Sequence, residues 1–216
     1  MLPKNDKSVS RLSIFYRQVK HKRIRNRFYS KAQCFRAGFS GVSFYNVNFK
    51  GAALTNCSFK GADFQQVEFL GSNLKKSNFT NARFKSCVFS AALVKDANFK
   101  GCTFEDCIFV NINLDAAKNV FVDSRNNEIL TRHPSPAVSD EIIKLLNDLR
   151  FDKNIQNSRV LHLKGGKVNG LTLDQLISFL GEESLKQGLL SLQGKLPSRI
   201  ITAADLCRTI DRAARG

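Results

Sequence analysis

Tryptophan is absent from the 216-residue sequence, and methionine occurs once, tyrosine three times and proline four times. No run of 18 or more apolar residues occurs either, so no segment is long enough to cross a bilayer as a helix. The polar, basic start also lacks the apolar core and cleavage site of a secretory signal. We therefore expect a cytoplasmic protein without a membrane span.

Histidine, which serves in many catalytic and metal sites, is scarce as well. The three histidines, His21, His133 and His162, lie in separate segments, and no carboxylate or thiol recurs at a fixed distance from them. Cys102 and Cys107 do not match zinc-ligand pairs, which usually lie about two to four residues apart and need further partners. We expect no enzymatic activity, no metal and no cofactor.

Phenylalanine, by contrast, occurs 18 times and marks a five-residue repeat. The central residue of each unit is large and apolar, the residue two positions earlier is small or modest in size, and the other three are mostly polar. A period of five fits neither a helix nor an alternating strand, so the chain must turn a corner in every unit. The central residues are Phe39, Phe44, Phe49, Leu54, Phe59, Phe64, Phe69, Leu74, Phe79, Phe84, Phe89, Val94, Phe99, Phe104, Phe109 and Leu114.

These units resemble the pentapeptide-repeat family, whose motif reads A(D/N)LXX. Residues 62–66 (Ala-Asp-Phe-Gln-Gln) and 97–101 (Ala-Asn-Phe-Lys-Gly) are good copies with phenylalanine at the centre. The resemblance implies a mainly β protein, a right-handed quadrilateral β-helix with four units per coil. It also implies that the central and the minus-two side chains point inward.

The sequence supports four units per coil independently, because every fourth central residue departs from phenylalanine: Leu54, Leu74, Val94 and Leu114. Projecting this period back leads to Cys34, so the solenoid is expected to begin near residue 32 and to contain about four coils. We predict a basic N-terminal cap over 1–31, the pentapeptide-repeat solenoid over 32–118, a connection over 119–136 and a mostly helical region over 137–216. Four of the six cysteines fall in register with the repeat, which favours packing of reduced thiols over disulfides; they are Cys57, Cys87, Cys102 and Cys107.

Basic charge is concentrated at the start of the chain, where residues 1–36 hold eleven Lys or Arg and one Asp. Ser10 is a candidate cap for a helix there, with Leu12, Phe15, Val19 and Phe28 packed on the first coil. The charges either contact an anionic partner, such as nucleic acid, an acidic protein face or anionic lipid, or belong to a solvated capping helix. The candidate contact residues are Arg17, Lys20, Lys22, Arg23, Arg25 and Arg27.

An apolar patch is predicted on one outer face of the solenoid, at Leu70, Val88, Ile108 and Val110. We expect the C-terminal helices to fold back on it; the alternative is a homodimer or partner interface. These helices are predicted to begin after Ser139 and to cover about 172–180, 182–192 and 202–214, with a strand and turn over 159–166.

The sequence thus predicts a non-enzymatic pentapeptide-repeat binding or scaffold protein whose partner, protein or nucleic acid, is unknown. The alternative is a protein that contacts DNA gyrase or topoisomerase IV, with a quinolone-resistance or toxin-immunity role. The family's known role in imitating DNA needs a long acidic rod, whereas this solenoid is short and slightly basic.

Overall fold

The computed structural model of the protein describes residues 23–156, 158–163 and 165–216. The chain forms two compact units that meet in sequence between Arg132 and His133. The first unit is a parallel β-solenoid of about five coils, and the second is helical.

The strands of the solenoid pair in parallel, and every registered pair between them lies twenty residues apart, as in Phe44 with Phe64 and Phe89 with Phe109. This register confirms the predicted twenty-residue coil. The strands are β1 (Arg23–Phe28), β2 (Gln33–Phe35), β3 (Ser43–Asn48), β4 (Ala53–Thr55), β5 (Asp63–Leu70), β6 (Arg83–Lys85), β7 (Val88–Ser90), β8 (Thr103–Glu105), β9 (Cys107–Val110) and β10 (Asn127–Leu130), with a 3-10 turn at Leu114–Ala116.

The corners of the coil come from single residues with left-handed backbone conformation. Every fifth residue from Asn26 to Asn111 has a positive φ, with glycine at some of these corners, asparagine at others and further residue types, such as Lys76 and Ala91, at the rest. Asparagines just before the central residues support these turns, since the Oδ1 atoms of Asn48 and Asn98 accept the amide protons of Lys50 and Lys100 at 2.9 and 3.1 Å. Four such corners per coil give the solenoid four faces.

We number the coils 1 to 5, over residues 23–42, 43–62, 63–82, 83–102 and 103–122, and name the faces by the central residues beneath them. On three faces phenylalanine rings stack from coil to coil, as in Phe64, whose ring centroid lies 4.9 Å from that of Phe44 and 4.8 Å from that of Phe84. The columns are Phe44, Phe64, Phe84 and Phe104 on face A; Phe49, Phe69, Phe89 and Phe109 on face B; Leu54, Leu74, Val94 and Leu114 on face C; and Phe39, Phe59, Phe79 and Phe99 on face D.

The minus-two side chains do more than fill space between these columns. Ser77 Oγ donates to the carbonyl of Leu54 at 2.6 Å, and Cys87 Sγ donates to that of Phe64 at 3.4 Å. In each case the acceptor belongs to the coil below, so serine and cysteine tie successive coils together. All six cysteines are free thiols.

Coil 1 corrects the prediction for residues 23–28, which were expected to continue a helix and instead form strand β1. Ile24 is buried in register with Phe44, while Arg23 and Arg25 on either side are exposed, an alternation that suits a strand. The solenoid therefore has about five coils rather than about four, and it extends before residue 32. The predicted cap at Ser10 and the packing of Leu12, Phe15 and Val19 lie outside the described residues.

The helical unit contains α1 (Asp140–Asp148), α2 (Gly170–Leu192) and α3 (Ala203–Ala214). The predicted helix start after Ser139 is confirmed, since the Ser139 side chain accepts the amide proton of Ile142. The Thr202 side chain caps α3 in the same way by accepting the amide proton of Asp205. The two helices predicted over 172–192 are the halves of α2, which is interrupted at Gly181 with φ 72° and ψ 161°.

The strand predicted near 159–166 is wrong. Only an isolated antiparallel bridge joins His162 to Val168 in the described part of this segment. The Val160 carbonyl instead accepts hydrogen bonds from Asn169 Nδ2 at 3.0 Å and Thr172 Oγ1 at 2.7 Å. Side chains at the start of α2 thus supply the hydrogen bonds that a neighbouring strand would donate.

Candidate anionic-partner interface

Strand β1 displays three of the six predicted contact residues. Arg23, Arg25 and Arg27 are exposed, whereas Ile24 is buried in the solenoid core. The backbone of β1 is held by its parallel pairing with β3, so the three guanidinium groups project from a regular ladder. Arg17, Lys20 and Lys22 lie outside the described residues.

Neighbouring groups leave the charges of these arginines uncancelled. The guanidinium of Arg25 lies 5.8 Å from the ring centroid of Tyr45, and Arg27 Nη1 donates to the carbonyl of Asn26 at 3.2 Å. Within the described part of the chain, none of the three forms an ion pair. Coil 1 also exposes Lys31 and Arg36, which are not among the predicted contacts because they follow the dense basic run over 17–27.

Two cations of face A differ, because a carboxylate faces each of them from a neighbouring coil. Arg83 Nε lies 3.4 Å from Asp63 Oδ1, and Lys85 pairs with Glu105 in the same way. The hydrogen bond to Glu105 raises the pKa of Lys85 above its usual value. Coils 1 and 2 themselves contain no carboxylate, since the sequence has no Asp or Glu between Asp6 and Asp63.

The predicted apolar patch on face B is largely inaccessible. Val88 and Val110 are buried, and Leu70 and Ile108 are half-buried. Polar groups share this face, where Asn48 Nδ2 donates to Glu68 Oε2 at 2.6 Å. The covering by C-terminal helices and the alternative interface both stay predictions.

Among the described residues, no three or more His, Cys, Asp or Glu side chains gather in a way that suits a metal ion. Burial, followed by the charge of Arg150, lowers the pKa of His162, and burial raises the pKa of Cys102 to about 11, so its thiol is protonated at neutral pH. None of the helices in the described part has both the length and the apolar character needed to cross a membrane.

The twenty-residue register and the four corners define a parallel β-solenoid assembled from five-residue units. Residues 32–101 match the family model described as pentapeptide repeat region, so this part of the chain is a pentapeptide-repeat region. The match confirms the family resemblance of the motifs.

Several solved structures of pentapeptide-repeat proteins are similar to the chain. Rfr23 from the cyanobacterium Cyanothece 51142 is 16% identical, with 44% of this chain and 63% of that chain covered and a TM-score of 0.28. HetL from Nostoc sp. strain PCC 7120, involved in heterocyst differentiation regulation, is 12% identical, with 51% and 55% covered and a TM-score of 0.32. QnrB1, a plasmid-mediated fluoroquinolone resistance protein, is 16% identical, with 57% and 87% covered and a TM-score of 0.23.

The chain thus spans 63% and 55% of the lengths of Rfr23 and HetL. No curated protein matches the sequence. These likenesses assign no partner to this chain.

Proposed function

We propose that the protein is a non-enzymatic binding module whose coil 1 contacts an anionic partner. The observation that carries this proposal is the set of five exposed cations on coil 1, within a stretch free of carboxylates from Lys7 to Ala62. The five are Arg23, Arg25, Arg27, Lys31 and Arg36.

Electrostatics favours binding at this end of the solenoid. Like charges held close together on a rigid backbone repel one another, and an anionic partner relieves that repulsion while releasing counterions. At about 0.15 M salt, charges are screened over roughly 8 Å, so the five cations act on a partner mainly when it is close. Binding is therefore expected to weaken steeply with added salt.

The solenoid supplies a rigid support for this contact. Parallel pairing of β1 with β3 and of β3 with β5 fixes the backbone of coil 1 to that of coils 2 and 3. Stacked rings beneath, including the Tyr29–Phe49 pair at 5.8 Å between centroids, fill the core of this end. A preorganised surface loses little conformational entropy when a partner binds.

The alternative, contact with gyrase or topoisomerase IV, stays a prediction. Its DNA-mimic form requires an acidic surface, whereas coil 1 has five cations and no carboxylate. A gyrase supercoiling assay with and without a quinolone tests it directly.

The proposal is tested with the variant Arg23→Gln/Arg25→Gln/Arg27→Gln against labelled single-stranded and duplex nucleic acid, an acidic polypeptide and anionic lipid vesicles. We expect the unaltered protein to bind at least one of these at low salt and the variant to bind it at least about tenfold more weakly, since three phosphate or carboxylate contacts are lost.

The matched control is Lys144→Gln/Lys153→Gln/Lys195→Gln, which removes the same number of exposed charges from the helical unit. Thermal unfolding of both variants checks that each is folded. Failure of the unaltered protein to bind any of the four probes at low salt overturns the proposal, as does an equal loss in the control. A pull-down from the native host with the coil 1 variant as reference then identifies the partner.

A further inference from the structure

The remaining cations of the solenoid are distributed unequally among its faces. Faces C and D, with the corners that follow each, carry seven Lys or Arg and only two carboxylates, Asp96 and Asp115. Six of the seven are exposed and Lys75 is half-buried; they are Arg36, Lys60, Lys75, Lys76, Lys95, Lys100 and Lys118. On faces A and B, by contrast, coils 2 to 5 carry three cations and four carboxylates.

Most charges on faces C and D are available to a ligand. Of the seven cations, Lys118 alone forms an ion pair within the described part of the chain, at 3.1 Å from Asp96 Oδ1. On face A, Arg83 and Lys85 both pair with carboxylates one coil away. Faces C and D therefore carry more cations without an ion-pair partner than face A does, although the same five-residue repeat forms every face.

The coil register aligns these cations along the solenoid axis. Lys75 and Lys95 occupy equivalent positions in adjacent coils, and so do Lys60 and Lys100 two coils apart, with Thr80 between them. Since adjacent strands lie about 4.8 Å apart, the positive charges recur at intervals of about 5 to 10 Å. A linear polyanion lying along the axis meets them in succession.

Uncharged polar groups lie between Lys60 and Lys100 on face D. Asn98 Nδ2 donates to Thr80 Oγ1 at 3.2 Å, and Asn119 Nδ2 donates to Asn98 Oδ1 at 2.9 Å. Ser40 and Ser58 are joined at 2.9 Å between their hydroxyl oxygens. These side chains are held in rows by one another, and they add hydrogen-bonding capacity without negative charge.

An exposed aromatic ring lies at the coil 1 end of the same surface. Phe35 is 56% exposed on face C, and the guanidinium of Arg36 lies 4.9 Å from its ring centroid. The core does not require an aromatic side chain here, because the registered residue in coil 2 is Thr55. An exposed ring beside a guanidinium is the arrangement on which unpaired nucleic-acid bases stack.

We propose that faces C and D form a track for single-stranded nucleic acid, with phosphates on the lysines and a base stacked on Phe35. This inference rests on the proposed anionic partner and names its class. A duplex offers phosphates to the lysines but no free base to Phe35, so the aromatic ring is what selects a single strand.

The lysine row is tested with Lys75→Gln/Lys95→Gln against Arg83→Gln/Lys85→Gln, two variants with the same change in net charge. Binding of labelled 15-nucleotide oligo-dT is followed by fluorescence anisotropy over a range of salt concentrations. For two lost phosphate contacts, the slope of log K against log salt is expected to fall in magnitude by about 1.4 in the first variant only. Equal changes in both variants overturn the track.

The aromatic contact is tested with Phe35→Leu, which keeps an apolar side chain at an exposed position and is checked for folding by thermal unfolding. We expect about fivefold or greater weakening for oligo-dT and no change for a duplex of the same length. Equal binding of oligo-dT by Phe35→Leu and the unaltered protein overturns the choice of a single strand.

Anionic phospholipid vesicles separate this inference from the proposed function. If the protein binds vesicles but not oligo-dT at low salt, the nucleic-acid track is overturned while the anionic partner stands. If it binds none of the anionic probes, both are overturned.

Discussion

The amide of Cys107 donates to Oδ1 of Asn127 at 2.9 Å, across the last pair of strands in the solenoid. Asn127 occupies the position that small minus-two residues hold in the repeat, and its Nδ2 also donates to the carbonyls of Phe104 and Asp123 at 3.1 and 2.9 Å. One buried amide thus satisfies backbone groups of coil 5 and of the chain that closes it.

Asn127→Ala is expected to destabilise this end of the solenoid. It leaves the Cys107 amide and the Phe104 carbonyl without their side-chain partner, at a cost of about 1–3 kcal/mol in the free energy of unfolding. Urea unfolding measures the loss, and hydrogen exchange at the Cys107 amide locates it. Asn126→Ala is the control, since Asn126 is exposed; equal destabilisation by both substitutions would contradict the role of Asn127.

Stacked rings in the middle of the solenoid are expected to contribute more than those in its last coil. Phe64 is fully buried between Phe44 and Phe84, whereas Phe104 is only partly buried above Phe84. Phe64→Ala is therefore expected to cost about 3–5 kcal/mol, with a smaller loss for Phe104→Ala. The test compares the free energies of unfolding of the two variants under the same conditions. A larger loss for Phe104→Ala than for Phe64→Ala would show that the last coil is the more tightly packed.

The repeat made much of this fold predictable, because its period fixes both the faces and the coil length. Once the coil is set at twenty residues, even the pairs Arg83–Asp63 and Lys85–Glu105 follow, since each joins residues twenty apart. Coil 1 was missed because Ile24 and Tyr29 replace phenylalanine and Arg27 stands where a small residue is expected. The burial of Val88 and Val110 does not follow from the repeat either, because the repeat places both side chains on the outer surface.

Substitutions at two corner glycines distinguish the cost of a left-handed backbone from the cost of steric crowding. Gly61 and Gly101 have φ of 61° and 69°, but a Cβ at Gly61 meets nothing within 4 Å, whereas one at Gly101 lies 2.3 Å from Asn81 Oδ1. Gly61→Ala is expected to cost about 1 kcal/mol from the left-handed backbone alone. Gly101→Ala is expected to cost more, because Asn81 must also move.

Urea unfolding measures the difference in stability between Gly61→Ala and Gly101→Ala. The double variant Gly101→Ala/Asn81→Gly is measured in the same way. The second substitution removes the crowding, so it is expected to recover the excess loss. Equal stability of Gly61→Ala and Gly101→Ala would indicate that the Asn81 side chain moves without cost.

The buried cysteines are expected to resist alkylation in the folded protein. Burial raises the pKa of Cys34 to about 12 and that of Cys57 to about 11, from an ordinary value of 9.0. The thiolate is the reactive form, so at pH 8 both groups remain protonated, and both side chains are also shielded from the reagent. Mass spectrometry after iodoacetamide treatment should find them unmodified in the native protein and modified in urea.

The same pKa shifts predict how stability depends on pH. The folded state holds these thiol protons more tightly than the unfolded state, so their contribution is fully present below pH 9.0 and is lost as the pH rises through about 11 to 12. Cys34→Ala/Cys57→Ala should lessen the fall in unfolding free energy between pH 8 and pH 10.5, relative to the unaltered protein. An identical fall in both proteins would assign the alkaline loss to groups other than these thiols.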